Sequence, residues 1–248
     1  MSTPLLELRG LSKSFGGVAA NDDITLSVAQ GAIVGLIGPN GSGKTTLFNC
    51  VTGHCPLDSG TVFFDGHALA GKSTAQIARL GLVRTFQQAG VYAESTCLQG
   101  MEISASHARE SYGALFRRPG RAMRARALEL LDFVGLAAHG GTLAGELSYG
   151  QRKLLEFAMA LMTEPSMLLL DEPTAGVSPT LLPALIERLR RANADLGVTL
   201  LVIEHNMQVV MNLAQQVICL ARGRVLAAGT PAEMRADSRV TGAYLGVA

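Results

Sequence analysis

A glycine-rich segment that ends in lysine and threonine carries the clearest chemical signal in the chain. It reads Gly38-Pro39-Asn40-Gly41-Ser42-Gly43-Lys44-Thr45-Thr46 and matches the pattern of a phosphate-binding loop, between an apolar run and a helix-like stretch. Its glycines let the backbone curl so that several N–H groups point inward at a phosphate. Lys44 supplies a cation for β- and γ-phosphates, and the hydroxyl of Thr45 is placed to ligate Mg²⁺. We therefore expect a site for a nucleoside triphosphate and Mg²⁺.

Two carboxylates, Asp171 and Glu172, follow a second apolar run, Met167 to Leu170. Because side chains alternate along a strand, we expect the two carboxylates to point apart. Asp171 is then placed to hold Mg²⁺ through its hydration shell, while Glu172 faces the space beyond the γ-phosphate and orients or deprotonates a water molecule. Acidic residues after a strand are also favoured at the start of a helix, so a purely structural role stays open.

The phosphate loop and the carboxylate pair are compatible with kinases, GTPases, helicases and transport ATPases. A third segment, Leu147-Ser148-Tyr149-Gly150-Gln151, distinguishes among them. It resembles the signature of ABC ATPases, and it lies where that family carries it, 20 residues before Asp171 and ahead of a helical stretch from Arg152 to Met162. The resemblance covers nearly the whole chain and identifies it as a member of the ABC ATPase family.

The resemblance implies that the cofactor is ATP with Mg²⁺ and that the signature binds phosphate. In the family, a serine hydroxyl and a helix N-terminus, here Ser148, Gly150 and Gln151, grip the γ-phosphate that is bound by the opposite subunit. One phosphate loop and one signature per chain then make two half-sites. We expect a head-to-tail dimer with a second ABC ATPase subunit, which is either the same chain or a relative.

Three further residues receive roles from the same resemblance. Phe15 lies where the family places an aromatic ring on adenine, although a phenylalanine after a strand is as often part of the core. Gln87 matches the glutamine that touches Mg²⁺ and water, and the neighbouring Gln88 leaves the register open. His205 follows an apolar run, as does the histidine that contacts the γ-phosphate and stabilises the transition state; its alternative is a structural histidine.

The chain departs from the commonest family pattern at two positions. Tyr149 stands in place of the second glycine of the signature. Ser178 stands in place of the aspartate that is usual in the loop after the catalytic glutamate. Neither change removes a group assigned to phosphate or Mg²⁺. A hydroxyl offers a weaker contact than a carboxylate, so Ser178 bears on communication between subunits.

Within the family, four segments resemble the ATPase subunits of bacterial branched-chain amino-acid importers, in their LivG-like form. They are Arg84 to Gln87, Leu147 to Lys153, Ile203 to Met207, and Ala243 to Gly246. The resemblance implies uptake of branched-chain or related amino acids through a separate transmembrane permease, which is served by an external solute-binding protein. Urea or amide uptake, and a nucleotide-dependent switch without transport, remain open. ABC proteins of DNA repair or translation carry a long coiled coil or two cassettes, and this chain has neither.

Composition favours an ordered protein without a general affinity for polyanions. Of the 248 residues, 48% are hydrophobic and 17% charged, which is typical of a globular domain. The net charge of +1 gives no overall attraction to nucleic acid, so we expect no nucleic-acid partner. The run from Arg117 to Arg126 is locally basic and could contact phosphate head groups or an acidic partner, but a solvated loop and helix face is the favoured interpretation. The four cysteines lack metal-ligand spacing and are interpreted as reduced thiols.

We expect a cytoplasmic protein held at the inner face of the plasma membrane through the permease. No apolar stretch approaches the roughly 18 residues of a membrane span, and the segment from Met1 to Gly10 does not resemble a signal peptide.

The elements that must position these residues form one α/β domain over residues 1–248, with the core of a phosphate-loop NTPase. Short apolar runs, Ala32 to Ile37, Met167 to Leu170 and Val198 to Ile203, predict buried strands of a mostly parallel central sheet, whose carboxyl ends carry the functional groups. The β-rich pieces near the start predict an antiparallel region.

Residues 1–88 and 165–248 are expected to hold the β region and core, with a helical subdomain inserted at roughly residues 89–164. The spacing of apolar residues from Arg121 to Leu136 predicts a helix in that insertion. The tail predicts a strand, Arg224 to Ala228, and a single helix, Pro231 to Leu245, with Thr230 as its N-cap.

Overall fold

The amino-terminal part of the chain forms an antiparallel sheet. The computed structural model describes residues 4–85, 92–108 and 120–245. Its first sheet has the order β2-β1-β4-β5, and each neighbouring pair is antiparallel. The strands are β1 (Pro4–Phe15), β2 (Val18–Ala29), β4 (Ser59–Phe64) and β5 (His67–Ala68).

The second sheet is central and has six strands in the order β10-β9-β3-β8-β7-β6. Five of them run parallel, and β10 joins the edge antiparallel to β9. Every residue of β3, β7 and β8 is buried, as expected for strands covered on both faces. The strands are β3 (Ile33–Ile37), β6 (Leu82–Thr85), β7 (Met167–Asp171), β8 (Thr199–Ile203), β9 (Gln216–Ala221) and β10 (Arg224–Gly229).

The register of the central sheet brings three strand ends to one level. Leu36 of β3 pairs with Ile203 of β8, and Ile203 pairs with Asp171 of β7. The segments that follow these strands therefore leave the same edge of the sheet side by side. That edge is where open parallel sheets place their ligands.

Helices flank the sheets and fill the described residues between β6 and β7. The α-helices are α1 (Lys44–Val51), α2 (Thr74–Arg79), α3 (Cys97–Ala108), α4 (Arg121–Phe133), α5 (Tyr149–Leu161), α6 (Leu182–Leu196), α7 (Met207–Leu213), α8 (Pro231–Ala236) and α9 (Ser238–Leu245). Two 3₁₀ turns, Ala137–His139 and Ala144–Glu146, lie between α4 and α5. The residue 88/89 boundary of the predicted helical subdomain lies outside the described residues, so this division stays a prediction.

One helix was predicted too long and another began too late. The tail forms two helices, α8 and α9, because Asp237 interrupts the run: its carboxylate accepts the N–H of Arg239 at 2.8 Å and so caps a new helix. Thr230 does cap α8, in a reciprocal pair with Glu233. The helix predicted from Arg152 begins three residues earlier, directly after Ser148.

The predicted fold class is confirmed in its main features. An antiparallel amino-terminal sheet adjoins a mostly parallel central sheet with helices around it. Within the described residues, no helix is both long and apolar enough to cross a membrane.

Candidate functional site

The phosphate loop follows β3 and turns directly into α1. Gly43, the residue before α1, has a φ of 100°, and a Cβ placed there would overlap the carbonyl oxygen of Ala20 in β2. Only glycine fits this position, because both the conformation and the space exclude a side chain. The loop therefore packs closely against the amino-terminal sheet. Ser42 is buried, Pro39 and Thr46 are partly buried, and Asn40 and Thr45 are exposed.

Lys44 is almost fully buried at the start of α1. Its Nζ donates to the carbonyl oxygens of Gly38 at 2.8 Å and Pro39 at 3.0 Å, and lies 3.4 Å from Oγ of Ser42. Burial lowers the pKa of the Lys44 ammonium, and the nearby carboxylates of Glu172 and Asp171 oppose that shift. The lysine is thus held folded over its own loop, and the two carboxylates lie within electrostatic range of it.

Asp171, the last residue of β7, is buried with an arginine that pairs with it. Nη2 of Arg84 donates to Oδ2 of Asp171 at 2.7 Å, and Nη1 donates to Oδ1 of Asn49 in α1 at 2.6 Å. The Arg84 and Asp171 side chains are only 8% and 1% exposed. Arg84 thereby joins β6, β7 and the helix that follows the phosphate loop. In the sequence, Arg84 marked only a subfamily, and nothing near it predicts these partners.

The second oxygen of the Asp171 carboxylate is oriented for a ligand. Oδ1 is buried and has no hydrogen-bond partner among the described residues. Leaving a buried carboxylate oxygen without a donor is unfavourable, and a hydrated cation would satisfy it. The hydroxyl of Thr45, in the first turn of α1, offers a second oxygen of the kind that Mg²⁺ prefers. These residues fit a hydrated Mg²⁺ ion.

Glu172 and His205 face each other across the ends of β7 and β8. Nε2 of His205 lies 2.6 Å from Oε1 of Glu172, and their side chains are 41% and 23% exposed. Glu172 has a φ of 49°, which ends the strand, and its N–H donates to the carbonyl oxygen of Ile203 at 2.9 Å. The carboxylates of Asp171 and Glu172 do have different surroundings, but the left-handed turn at Glu172 contributes to this as well as strand alternation.

A buried carboxylate that the sequence analysis missed secures the segment after Glu172. Glu204 is 3% exposed and accepts hydrogen bonds from both the N–H, at 2.8 Å, and the hydroxyl of Thr174. Because Glu204 immediately precedes His205, this contact ties the segment that carries the histidine to the segment that carries Glu172. The only signal in the sequence was an acidic residue directly after an apolar strand.

The signature segment starts α5 with a reciprocal cap. The N–H of Gln151 donates to Oγ of Ser148 at 3.3 Å, and the N–H of Ser148 donates to Oε1 of Gln151 at 2.9 Å. Nε2 of Gln151 also lies 3.3 Å from Nε2 of His139. Ser148 is exposed, whereas Gly150 is buried against Leu181.

The two departures from the family pattern lie near each other. The ring of Tyr149 covers Gly176, where an added Cβ would come within 2.8 Å of Cε1 of the tyrosine. Ser178, two residues further on, shares a hydrogen bond of 2.9 Å with the hydroxyl of Thr180. Tyr149 thereby links the start of α5 to the loop that carries Ser178.

Phe15 lies at the exposed end of β1 and is not part of the core. The residue is 53% exposed, and Nζ of Lys13 lies 5.3 Å from the centroid of its ring. Val18, across the turn, is 71% exposed. An exposed aromatic ring beside an exposed apolar residue suits stacking on a flat base. Gln87 lies outside the described residues, as do Arg117 and Arg118 of the basic run.

The predicted residues fall into two groups. The phosphate loop, Asp171, Glu172 and His205 follow neighbouring strands of one sheet edge and come together there. Ser148 and Gln151 cap a different helix, and no hydrogen bond joins them to the phosphate loop within the part of the chain that the structure describes. The four cysteines are free thiols, as expected.

Comparison with known proteins decides the family. Residues 21–175 match the family model described as "ABC transporter". The chain belongs to the ABC transporter family. A second model, described as "Branched-chain amino acid ATP-binding cassette transporter", matches residues 224–248. The recognition made from the signature and its companion motifs is therefore confirmed, and ATP binding and hydrolysis are the general activity of this ATPase family.

Two curated relatives align with the chain over its full length. The chain is 39% identical to the branched-chain amino acid transport ATP-binding protein BraF of Pseudomonas aeruginosa, and 38% identical to LivG of Escherichia coli; each alignment covers 100% of both chains. The crystal structure of the ADP conformation of MJ1267, an ATP-binding cassette of an ABC transporter, matches with a TM-score of 0.88 and 34% identity. It covers 99% of this chain and 100% of that one. These ABC ATPases are therefore similar to this chain in fold as well as in sequence.

Proposed function

We propose that this ABC ATPase energises an importer for branched-chain amino acids through a separate membrane permease. The observation that carries the proposal is the convergence of the phosphate loop, Asp171, Glu172 and His205 at one edge of the central sheet. The full-length similarity to LivG and BraF supports the branched-chain branch over urea uptake or a switch without transport.

The phosphate loop binds ATP by exchanging one set of Lys44 contacts for another. In the structure, Nζ of Lys44 is held by two neutral carbonyl oxygens. Phosphate oxygens are stronger acceptors because they are charged, so Lys44 moves to the β- and γ-phosphates when ATP enters. Phe15 stacks on the adenine ring, while Asn40, Gly41, Ser42 and Thr46 complete the loop around the phosphates.

Oxygen atoms of this chain would hold Mg²⁺. Thr45 would contribute its hydroxyl, and Asp171 would contribute Oδ1 through a water molecule while Arg84 holds Oδ2. Gln87 is proposed as a further contact to the ion and to water. When bound, the ion neutralises charge on the phosphates.

Glu172 accepts a proton from the attacking water, and His205 assists it. The contact at 2.6 Å holds the carboxylate beside the imidazole. Once ATP is bound, the imidazole is free to contact the γ-phosphate, and it stabilises charge there during hydrolysis.

A second subunit completes the site. Within the described ranges, no hydrogen bond joins Ser148, Gly150 or Gln151 to the phosphate loop of the same chain. The exposed Ser148 presents its hydroxyl to an ATP molecule in the facing subunit. Two cassettes, identical or related, then close head to tail on two ATP molecules.

Closure of the pair pushes on the permease, which places the chain at the cytoplasmic face of the membrane and makes a solute-binding protein its indirect partner. We propose that residues 89–164 act as the helical subdomain that transmits the movement.

Reconstitution with its permease tests the proposal. In liposomes, we expect ATPase activity to rise when a binding protein loaded with leucine, isoleucine or valine is supplied, and not with urea. The complex that carries Glu172→Gln is the matched control and should show neither stimulation nor uptake. Stimulation by urea alone, or an ATPase rate indifferent to permease and loaded binding protein, would contradict the proposed transport role.

A further inference from the structure

The first glycine of the phosphate loop has a hydrogen-bond partner in the last helix of the chain. The N–H of Gly38 donates to Oη of Tyr244 at 2.8 Å, across 206 residues of sequence. Tyr244 lies in the last turn of α9, within the tail that matches the branched-chain family model. A contact between the nucleotide loop and this tail is unexpected from either segment alone.

The helix that carries Tyr244 is anchored beside the strand that carries Gly38. Val240, one turn earlier in α9, is 2% exposed and packs in a cluster with Ile37, Cys219 and Met234. Because Ile37 directly precedes Gly38, one apolar cluster holds both partners of the hydrogen bond. The position of the Tyr244 hydroxyl is thus set by packing and does not depend on the tyrosine alone.

Both the N–H and the carbonyl oxygen of Gly38 form hydrogen bonds. Its N–H is taken by Tyr244, and its carbonyl oxygen accepts Nζ of Lys44 at 2.8 Å. Its φ is 147°, and an added Cβ would overlap the carbonyl oxygen of Leu220 in β9, so no side chain is available to stabilise this turn. Hydrogen bonds from other parts of the chain must do so.

We propose that Tyr244 is a positioning residue for the phosphate loop, through which the carboxyl-terminal helix raises nucleotide affinity. This inference rests on the proposed function, because it concerns the same nucleotide site. When Lys44 leaves the Gly38 carbonyl for a phosphate, the Tyr244 bond still holds the Gly38 amide. A loop held in its binding geometry loses less conformational freedom when ATP arrives.

The chemistry of the tyrosine suits this role. A hydroxyl accepts and donates at once, so it satisfies the Gly38 amide and keeps its own proton for water. Desolvation raises the pKa of Tyr244 to about 12, even though 36% of the residue is exposed, so the hydroxyl stays neutral at physiological pH. Phenylalanine would keep the ring and its packing but could not accept the hydrogen bond.

The experiment compares Tyr244→Phe with Tyr92→Phe in the full chain. Tyr92 is 54% exposed and lies outside the proposed site, so its substitution controls for loss of any tyrosine hydroxyl. One hydrogen bond contributes about 0.5–1.5 kcal/mol net, so we expect Tyr244→Phe to bind ATP and ADP about two- to tenfold more weakly. KM for ATP should rise by a similar factor, with kcat at saturating ATP within about twofold of wild type, because Tyr244 touches no reacting atom.

Hydrogen exchange separates this inference from the proposed function. In the nucleotide-free chain, the Gly38 amide should exchange faster in Tyr244→Phe than in wild type or Tyr92→Phe, with the melting temperature nearly unchanged. Equal exchange and equal nucleotide affinity in all three proteins would overturn the inference. If Gly38 exchange responds but wild type binds no nucleotide, the tether stands and the proposed ATP site fails. A fall in kcat with unchanged KM would also overturn the positioning role.

Discussion

Nε2 of His205 lies 2.6 Å from Oε1 of Glu172. Close by, Nζ of Lys44 donates to the carbonyl oxygens of its own phosphate loop. Both contacts use groups that are proposed to act on ATP. The lysine donates to the carbonyl oxygens of Gly38 and Pro39, and the histidine contacts the Glu172 carboxylate. ATP binding must therefore exchange these two contacts, whereas Oδ1 of Asp171 has no hydrogen-bond partner among the described residues. Substitutions at these residues separate the groups that bind ATP from the groups that cleave it.

Glu172→Gln should bind ATP and nearly abolish its hydrolysis. Glutamine keeps the size of the side chain but accepts no proton at neutral pH, and general base catalysis contributes typically 10²- to 10⁴-fold in rate. We expect turnover to fall by about that factor, measured as phosphate release, while nucleotide affinity is retained. Size-exclusion chromatography with ATP should reveal a trapped dimer.

Glu187→Gln is the matched control for that experiment, because Glu187 is an exposed residue of α6. It should hydrolyse ATP at the wild-type rate. Hydrolysis by Glu172→Gln at more than about a tenth of the wild-type rate would remove Glu172 from the role of general base.

Lys44→Ala should weaken nucleotide binding itself. A hydrogen bond to a charged group contributes about 1.5–3 kcal/mol, so losing the contact to the phosphates should reduce ATP affinity roughly ten- to 150-fold. The fold should persist, because the bonds lost in the free chain are those from a buried cation to neutral carbonyls. Isothermal titration calorimetry checks the affinity, with Lys72→Ala as a control. Unchanged affinity in Lys44→Ala would count against the assigned loop.

Arg84→Met should destabilise the chain by about 3–5 kcal/mol, because it leaves the buried Asp171 carboxylate without its partner. Urea denaturation measures this loss. Arg84→Lys keeps the charge but loses the planar fork that reaches Asp171 and Asn49 together, so its loss should be smaller. Both variants should need more Mg²⁺ for half-maximal ATP hydrolysis, since Asp171 is held less firmly. A wild-type stability in Arg84→Met would show that the ion pair contributes little.

The sequence predicted the groups of the site better than their partners. Lys44, Asp171 and Glu172 stand in short motifs whose geometry follows from a strand and a turn, so their positions were predictable. Arg84 and Glu204 were missed because their partners are 87 and 30 residues away, and no local pattern encodes a contact across the sheet. The same holds for Tyr244 and Gly38.

The helices predicted for the carboxyl-terminal tail and for the signature had wrong bounds for local reasons. The apolar period from Pro231 to Leu245 continues through Asp237, and periodicity alone does not reveal that this side chain caps a second helix. The helix of the signature was predicted from Arg152, but it begins at Tyr149, directly after the reciprocal cap between Ser148 and Gln151. Apolar periodicity does not reveal a cap of this kind.

The four thiols should differ sharply in reactivity. Burial raises the pKa of Cys50 to about 12 and that of Cys219 to about 11, and it also raises the pKa of Cys97, whereas Cys55 is partly exposed. The thiolate is the reactive form, and a thiol with a pKa near 12 is ionised to about one part in 10⁴ at pH 8.

With an aromatic disulfide reagent at pH 8, we expect one thiol per folded chain to react quickly and all four to react in denaturant. Raising the pH from 7 to 9 should speed the slow thiols without bringing them to a plateau, because their pKa values lie above this range. Cys55→Ser should remove the fast phase; if the fast phase survives, or if two or more thiols react quickly in the folded chain, the burial of Cys50, Cys97 and Cys219 is not as the structure places it.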